Sequence, residues 1–256
     1  MYTNIKAFCF IVLLVLTGCQ QSTEQEVELT ISAASSTIDV MEEIIEKYES
    51  DHNVTITLNS GSSGKLAQQI QHGAPVDLFI SANEQWSNRL AAGENIRPDT
   101  QTSIVKNTLI LIAPTEKQTS IDNLNQLTTK EDQTIALGEP DSAPAGKYAK
   151  QALMNAGIWG EVLDQLVYGN DVRQVLAYVE SGNADYGLVY ASDAQITDKV
   201  KIIAEIDTNT HDPIIYPAAV TSQSNNTEAA EDFLRYLKTD IPQEIFKSYG
   251  FKLEQE

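Results

Sequence analysis

From residue 27 onward, short apolar runs alternate with stretches whose apolar residues recur at helical period. This alternation restricts the chain to an α/β fold. Residues 27–32 read as a strand. Residues 37–50 read as a helix, because Met41, Ile44, Ile45 and Tyr48 fall at i, i+3, i+4 and i+7. Strand 54–59 and helix 65–72 follow, then a short buried strand at 77–81 and a helix at 84–92. Further strands are predicted at 109–113, 134–137, 166–168, 186–190 and 200–206. Helices are predicted between them at 146–156 and 172–181, with a shorter one near 191–196. Strand–helix–strand units of this kind make a mainly parallel sheet flanked by helices. The chain closes with a returning strand at 217–221 and a helix at 228–238 that carries Ala230, Phe233, Leu234 and Leu237 on one face. Two extended passages, 107–114 and 213–219, are natural crossovers between two lobes. They divide the chain into residues 27–107 plus 217–256 as one lobe and 108–216 as the other.

The first residues have the pattern of a targeting segment. Lys6 supplies a positive start, an apolar run covers residues 7–16, and Leu16-Thr17-Gly18-Cys19 has the small-residue pattern of a lipoprotein cleavage site. The run is shorter than the ~20 apolar residues that a membrane-spanning helix needs. Cleavage before Cys19 makes residues 1–18 a leader, Cys19 the lipidated residue and 20–26 a polar tether. An ordinary signal peptide with a chance cysteine is the alternative. The two cysteines of the chain are Cys9 and Cys19. The mature domain is therefore expected to have no free thiol, disulfide or cysteine-based metal site. The formal net charge of −19 argues against a nucleic-acid partner, since neutralising phosphates takes clustered Lys and Arg.

Within this frame one device recurs: small, uncharged residues placed just before helices. The cases are Ala33-Ala34-Ser35-Ser36, Gly61-Ser62-Ser63-Gly64, Ala143-Pro144-Ala145-Gly146 and Asp171-Val172-Arg173. A helix start presents unpaired N–H groups and a partial positive charge, and can hold an anion without a cationic side chain. In open α/β sheets, ligands sit beyond the carboxyl ends of strands, where all four motifs belong. Each has an ordinary structural reading too. Ser36 precedes Asp39 by three residues, close to a capping box, and Ser63 shares that ambiguity. Ala145 and Val172 have only backbone N–H groups to offer. Asp171 and Gln174 form a plausible capping pair that leaves the Val172 N–H free. Tyr190, at the end of an apolar strand, is either a ligand donor or a satisfied core group.

Other chemistries fit less well. Gly61-Ser62-Ser63-Gly64-Lys65 resembles a phosphate-binding loop only superficially, because Leu66 stands where that loop needs a hydroxyl residue. A serine hydrolase acting through Ser36 or Ser63 needs a histidine base. His52, His72 and His211 are the three available, and none accompanies a nucleophile-elbow sequence. No spacing of His and carboxylates suggests a metal site. No enzyme activity and no cofactor are expected.

In order and combination, these stretches resemble the molybdate-binding proteins of bacterial ABC importers, which are two-lobed, periplasmic-type solute receptors. The segments that carry the resemblance are Ala33-Ala34-Ser35-Ser36, residues 61–70, residues 73–82, residues 144–149, Asp171-Val172-Arg173, Gly187-Leu188-Val189-Tyr190 and residues 245–251. The resemblance covers nearly all of the mature chain. It implies an oxyanion held by two serines, two backbone amides and a tyrosine, which fall on Ser36, Ser63, Ala145, Val172 and Tyr190. Ser35 stands where the family often has alanine and Gly64 where it often has serine, so Ser35 and Ser62 are additional candidate donors. The implied ligand is molybdate or tungstate, and molybdenum enters only within the oxyanion. The implied partners are the permease of an ABC importer and, through Cys19, the lipid bilayer. The expected state is a monomer on the outer face of the cytoplasmic membrane. Receptors for another tetrahedral oxyanion, such as sulfate, are the nearest alternative.

Overall fold

The computed structural model describes residues 26–253, apart from residues 130 and 131. The leader, Cys19 and most of the tether lie outside the described residues. In chain order the first elements are β1 (Val27–Ala34), α1 (Ile38–Asp51), β2 (Val54–Gly61), α2 (Ser63–Gln71), β3 (Leu78–Ile80), α3 (Glu84–Ala92) and β4 (Thr102–Lys106). The middle of the chain forms β5 (Leu109–Pro114), β6 (Ile135–Gly138), α4 (Pro144–Asn155), α5 (Trp159–Val162), β7 (Leu166–Gly169), α6 (Val172–Glu180), β8 (Tyr186–Tyr190), α7 (Ala191–Gln195) and β9 (Val200–Glu205). The last elements are β10 (Ile215–Val220), α8 (Thr227–Tyr236) and α9 (Asp240–Ser248).

These strands build two five-stranded sheets, ordered β2-β1-β3-β10-β4 and β7-β6-β8-β5-β9. The fold is thus α/β and two-lobed, as expected, and each sheet is mixed in that four of its strands run one way and one runs against them. In the first, β2, β1 and β3 run parallel while β10 opposes both β3 and β4. In the second, β7, β6 and β8 run parallel while β5 opposes both β8 and β9. The cause is the two passages between lobes. Helical crossovers return the chain to the same end of a sheet and give parallel neighbours. The strands entered directly from the other lobe, β5 and β10, arrive from the opposite end.

The sequence pattern did not announce β4, α5 or α9. In α9 a proline, Pro242, occupies the first turn, where its missing N–H removes no intrahelical bond. The return strand starts at Ile215, two residues before the expected 217, and Tyr216 pairs with Val105 inside the first sheet.

Burial follows the periodicities. α1 buries Val40, Met41, Ile44, Ile45 and Tyr48, a stripe of helical period that packs against the first sheet. On the other face, Leu66, Ile70, Phe79, Trp86 and Leu90 form a separate core between α2, α3 and β3. Each such side chain contributes about 1.5–3 kcal/mol when fully buried. Both cores clamp the sheet, so the carboxyl ends of β1, β2 and β3 stop together: Ala34 lies opposite Gly61 and Ala33 opposite Ile80. In the second lobe Gly138 lies opposite Gly169. Gly146 lets α4 press onto that edge, since a Cβ there runs into the Gly138 carbonyl. Two edges with small residues at the strand ends therefore face one another.

Candidate functional site

Ser36, Ser63, Ala145, Val172 and Tyr190 line one cavity between the lobes, and Ser35 and Ser62 lie beside them. The cavity is about 10 Å³, on the measure by which one water needs about 10–15 Å³. In this closed arrangement the two lobes leave little free space between them. No histidine, lysine or arginine lines it. The carboxylate on its rim, Asp171, is turned back on its own helix and accepts from the Arg173 and Gln174 N–H groups at 2.9 and 3.1 Å. That cap leaves the Val172 N–H, the first of α6, without an intrahelical partner. Gln174, expected to complete the capping pair, instead accepts from the Asn170 N–H at 2.6 Å. Ala145 is the second residue of α4, after Pro144, and its N–H is likewise one of the helix's unpaired starting donors.

The serines divide by role. Ser62 is the N-cap of α2 and accepts from the Lys65 N–H at 3.4 Å. Ser63, fully buried, accepts from the Ala82 N–H at 3.0 Å. Ser36 sits in a 3₁₀ turn over residues 35–37. The capping-box reading fails for it: Thr37 occupies the N-cap of α1 with no side-chain cap bond. Ser36 Oγ lies 2.8 Å from the hydroxyl of Tyr216 instead. Ser35 gives its carbonyl to Arg173 Nε at 3.1 Å.

Tyr190 is 1% exposed, and its hydroxyl has no hydrogen-bond partner in the protein. A buried hydroxyl left unpaired costs about 1–3 kcal/mol, so Tyr190 carries a donor that the protein itself leaves without an acceptor. Burial, with Tyr216, Tyr148 and Asp193 nearby, pushes its pKa well above the ordinary 10. The group remains a neutral donor across the physiological range.

The two lobes touch across this cavity. The Gly64 N–H donates to the Ser142 carbonyl at 3.0 Å. A Cβ on Gly64 would stand 2.5 Å from that oxygen and 2.7 Å from the Trp86 ring, so glycine permits the approach. Lys65 Nζ donates to Asn170 Oδ1 at 2.7 Å. Arg173, on α6, pairs with Asp39 of α1 and stands 3.2 Å from Asp193 Oδ1. Asp193 is fully buried, and burial pushes its carboxyl up to about 6 against the pull of Arg173 and the Tyr190 N–H. The charges of Lys65 and Arg173 are thereby engaged by protein groups. Sequence reasoning did not single out the roles of Tyr216, Asn107 or Asp193, because each depends on partners far away in the chain.

The histidines lie elsewhere. His52 stacks on Tyr48 at 3.9 Å, His72 caps the end of α2, and His211 contacts the Asp212 carbonyl at 2.7 Å. Among the described residues, no group of three or more His, Cys, Asp or Glu is placed to hold a metal ion. Nor is any helix there long and apolar enough to cross a membrane.

Two α/β lobes closed on a small cavity at their facing sheet edges define the class: a two-lobed solute receptor. The chain belongs to the bacterial extracellular solute-binding protein family, whose family model matches residues 29–252. It is 42% identical over 247 residues, 94% of each chain, to YvgL of Bacillus subtilis (strain 168), provisionally named an ABC transporter substrate-binding lipoprotein. It is 36% identical over 233 residues, 90% of each chain, to the molybdate-binding protein ModA of Escherichia coli (strain K12). Among solved structures it superposes on the periplasmic molybdate-binding protein of Azotobacter vinelandii with a TM-score of 0.81 at 26% identity, covering 89% of this chain and all of that one. These relatives are solute-binding receptors rather than enzymes, and the ligand that the Escherichia and Azotobacter proteins are named for is an oxyanion rather than a cofactor.

Proposed function

We propose that this protein captures molybdate, and also tungstate, outside the cytoplasm and delivers it to the permease of an ABC importer. The observation that carries the reading is the donor set. Ser36, Ser63, the Ala145 and Val172 amides and the Tyr190 hydroxyl surround one cavity, and the tyrosine hydroxyl is buried there without a partner. Molybdate is fully deprotonated at neutral pH and only accepts hydrogen bonds, so a shell of donors complements it. Hydrogen phosphate would bury a proton with nothing to accept it, at a cost of about 1–3 kcal/mol. Sulfate satisfies the donors equally, and cavity size is what discriminates against it. Desolvating a dianion is expensive, so the donors must be held in place beforehand by rigid helix ends.

In this reading the lobes, residues 27–107 plus 217–256 and residues 108–216, close on the anion by rotating about the two crossovers. Catalysis plays no part, since none of the three histidines reaches the cavity serines. Cys19, acylated, anchors a monomer to the outer face of the cytoplasmic membrane. The lipoprotein name of the Bacillus relative supports the anchor.

The test is calorimetric titration of the full chain in detergent with molybdate, then with sulfate and phosphate as competitors. One-to-one binding of molybdate that excess sulfate fails to displace is the expected result. Sulfate binding in its place keeps the fold and changes the cargo. Ester hydrolysis abolished by a histidine substitution would replace the receptor with an enzyme.

A further inference from the structure

We infer that Tyr216 and Asn107 set the direction of the Ser36 hydroxyl, making it a donor into the cavity; this rests on the oxyanion-receptor reading above. Neither residue lines the cavity. Both lie where the lobes are joined: Asn107 between β4 and β5, and Tyr216 on β10, just after the return crossover. The two passages are tied together by the Asn107 N–H, which donates to the Ile214 carbonyl at 3.1 Å.

The direction follows from what each group can do. The Thr108 N–H can only donate, and it meets Asn107 at 2.8 Å, so the atom facing it is Oδ1. The amide nitrogen of Asn107 must then point the other way. It donates to Ser192 Oγ at 2.9 Å and toward Tyr216 Oη at 3.4 Å. Tyr216 therefore accepts from Asn107, and its single hydrogen is directed to Ser36 Oγ, 2.8 Å away. The reverse arrangement would leave the tyrosine hydrogen inside a fully buried site with no acceptor. Burial also pushes the Tyr216 pKa well above the usual range, which keeps that hydrogen in place.

Ser36 Oγ thus receives a hydrogen bond from the protein, and its own hydrogen is left for the cavity. Ser63 reaches the same condition more simply, by accepting from the Ala82 N–H. Both cavity serines are held as donors by protein groups that occupy their acceptor side. A serine free to rotate presents either a lone pair or a hydrogen, and accommodates a protonated anion as readily as an unprotonated one. Fixing both hydroxyls as donors selects the unprotonated kind. Tyr216 and Asn107 are positioning residues that act through Ser36.

A double-mutant cycle tests this. Affinity for molybdate and for sulfate is measured by calorimetry at pH 7.5 on the full chain in detergent, as wild type, Tyr216→Phe, Ser36→Ala and the double variant. Tyr216→Phe is expected to weaken binding about tenfold in the wild-type background and to add no loss to Ser36→Ala. Asn107→Ala, a second route to the same break, is expected to weaken binding about threefold and likewise to lose its effect in the Ser36→Ala background. Equal losses in both backgrounds, or no loss in either, overturn the relay. Wild type that ignores molybdate but binds sulfate, with the coupling intact, overturns the proposed cargo and leaves the relay standing. Silence toward both anions overturns both.

Discussion

The two lobes meet the cavity with different chemistry. The first supplies side-chain hydroxyls, Ser36 and Ser63, each steadied by a partner behind it. The second supplies the first-turn amides of α4 and α6 together with Tyr190. A hydroxyl depends on residue identity and can be deleted by one substitution to alanine. A helix-start amide is indifferent to its side chain, and survives any substitution that keeps the helix start in place. In the proposed site, equivalent donors are therefore encoded in two ways, and mutations separate them.

The largest effect is expected where the lobes are joined by charge. Arg173→Met removes the partner of the buried Asp193 and the tie to Asp39. Breaking such a pair costs about 3 kcal/mol of folding stability at pH 8, to be read by chemical denaturation. That loss should shrink toward pH 5, where Asp193 takes up a proton. In the wild type the Asp193 carboxyl is raised from 3.8 to about 6. The unfolded chain releases this proton first, so the contribution of Asp193 to stability falls as pH rises from about 4 to about 6 and is flat above that. In Asp193→Asn that slope should vanish. An unchanged slope would show that Asp193 is ionised throughout.

Next comes the backbone contribution of the second lobe. Val172→Pro deletes an amide hydrogen at the first position of α6, where proline is compatible with a helix and the preceding Asp171 is already extended. It should lower molybdate affinity about 100-fold with little change in melting temperature. Val172→Ala should bind within about threefold of wild type, because the amide is retained. If the two variants bind alike, the amide is not a ligand donor.

Tyr190→Phe should have effects of opposite sign on stability and binding. Removing a hydroxyl buried without a partner should stabilise the ligand-free protein by about 1 kcal/mol while weakening molybdate binding about tenfold. Thermal unfolding with and without ligand reads both. A loss of stability without ligand would mean that the hydroxyl serves the core instead.

The smallest effect separates the two neighbouring serines of the first lobe. Ser62→Ala removes the N-cap of α2 and should cost about 1 kcal/mol of stability while leaving affinity nearly unchanged. Ser63→Ala should reduce affinity about tenfold. A reversed pattern would move the donor role to Ser62.

Much of this arrangement was legible from residue order. The period in α1 announced its buried stripe, and apolar runs such as Leu109–Pro114 announced interior strands. The cap at Asp171 was visible because Asp followed by a helical run needs only local geometry. The Ser36 capping box was equally plausible locally, yet Asp39 turned to Arg173, 134 residues away, and Ser36 to Tyr216, 180 residues away. Which single strand runs against the others in each sheet was not legible for a related reason. Whether a strand arrives parallel or antiparallel depends on which lobe the chain comes from, and local pattern does not record that.

The sequence by itself determined the alternation of strands and helices, the placement of small residues at helix starts, and the absence of any basic cluster that could bind an anion by charge. These are short-range properties, set by periodicity, capping and composition. The family resemblance implied that Ser36, Ser63, Ala145, Val172 and Tyr190 act together, but only the tertiary structure brought them around one cavity, engaged the charge of Arg173 with Asp39 and Asp193, and set Asn107 and Tyr216 behind Ser36. Those relations join groups brought together by the closing of two lobes, and hydrogen-bond direction in a buried network depends on every partner at once.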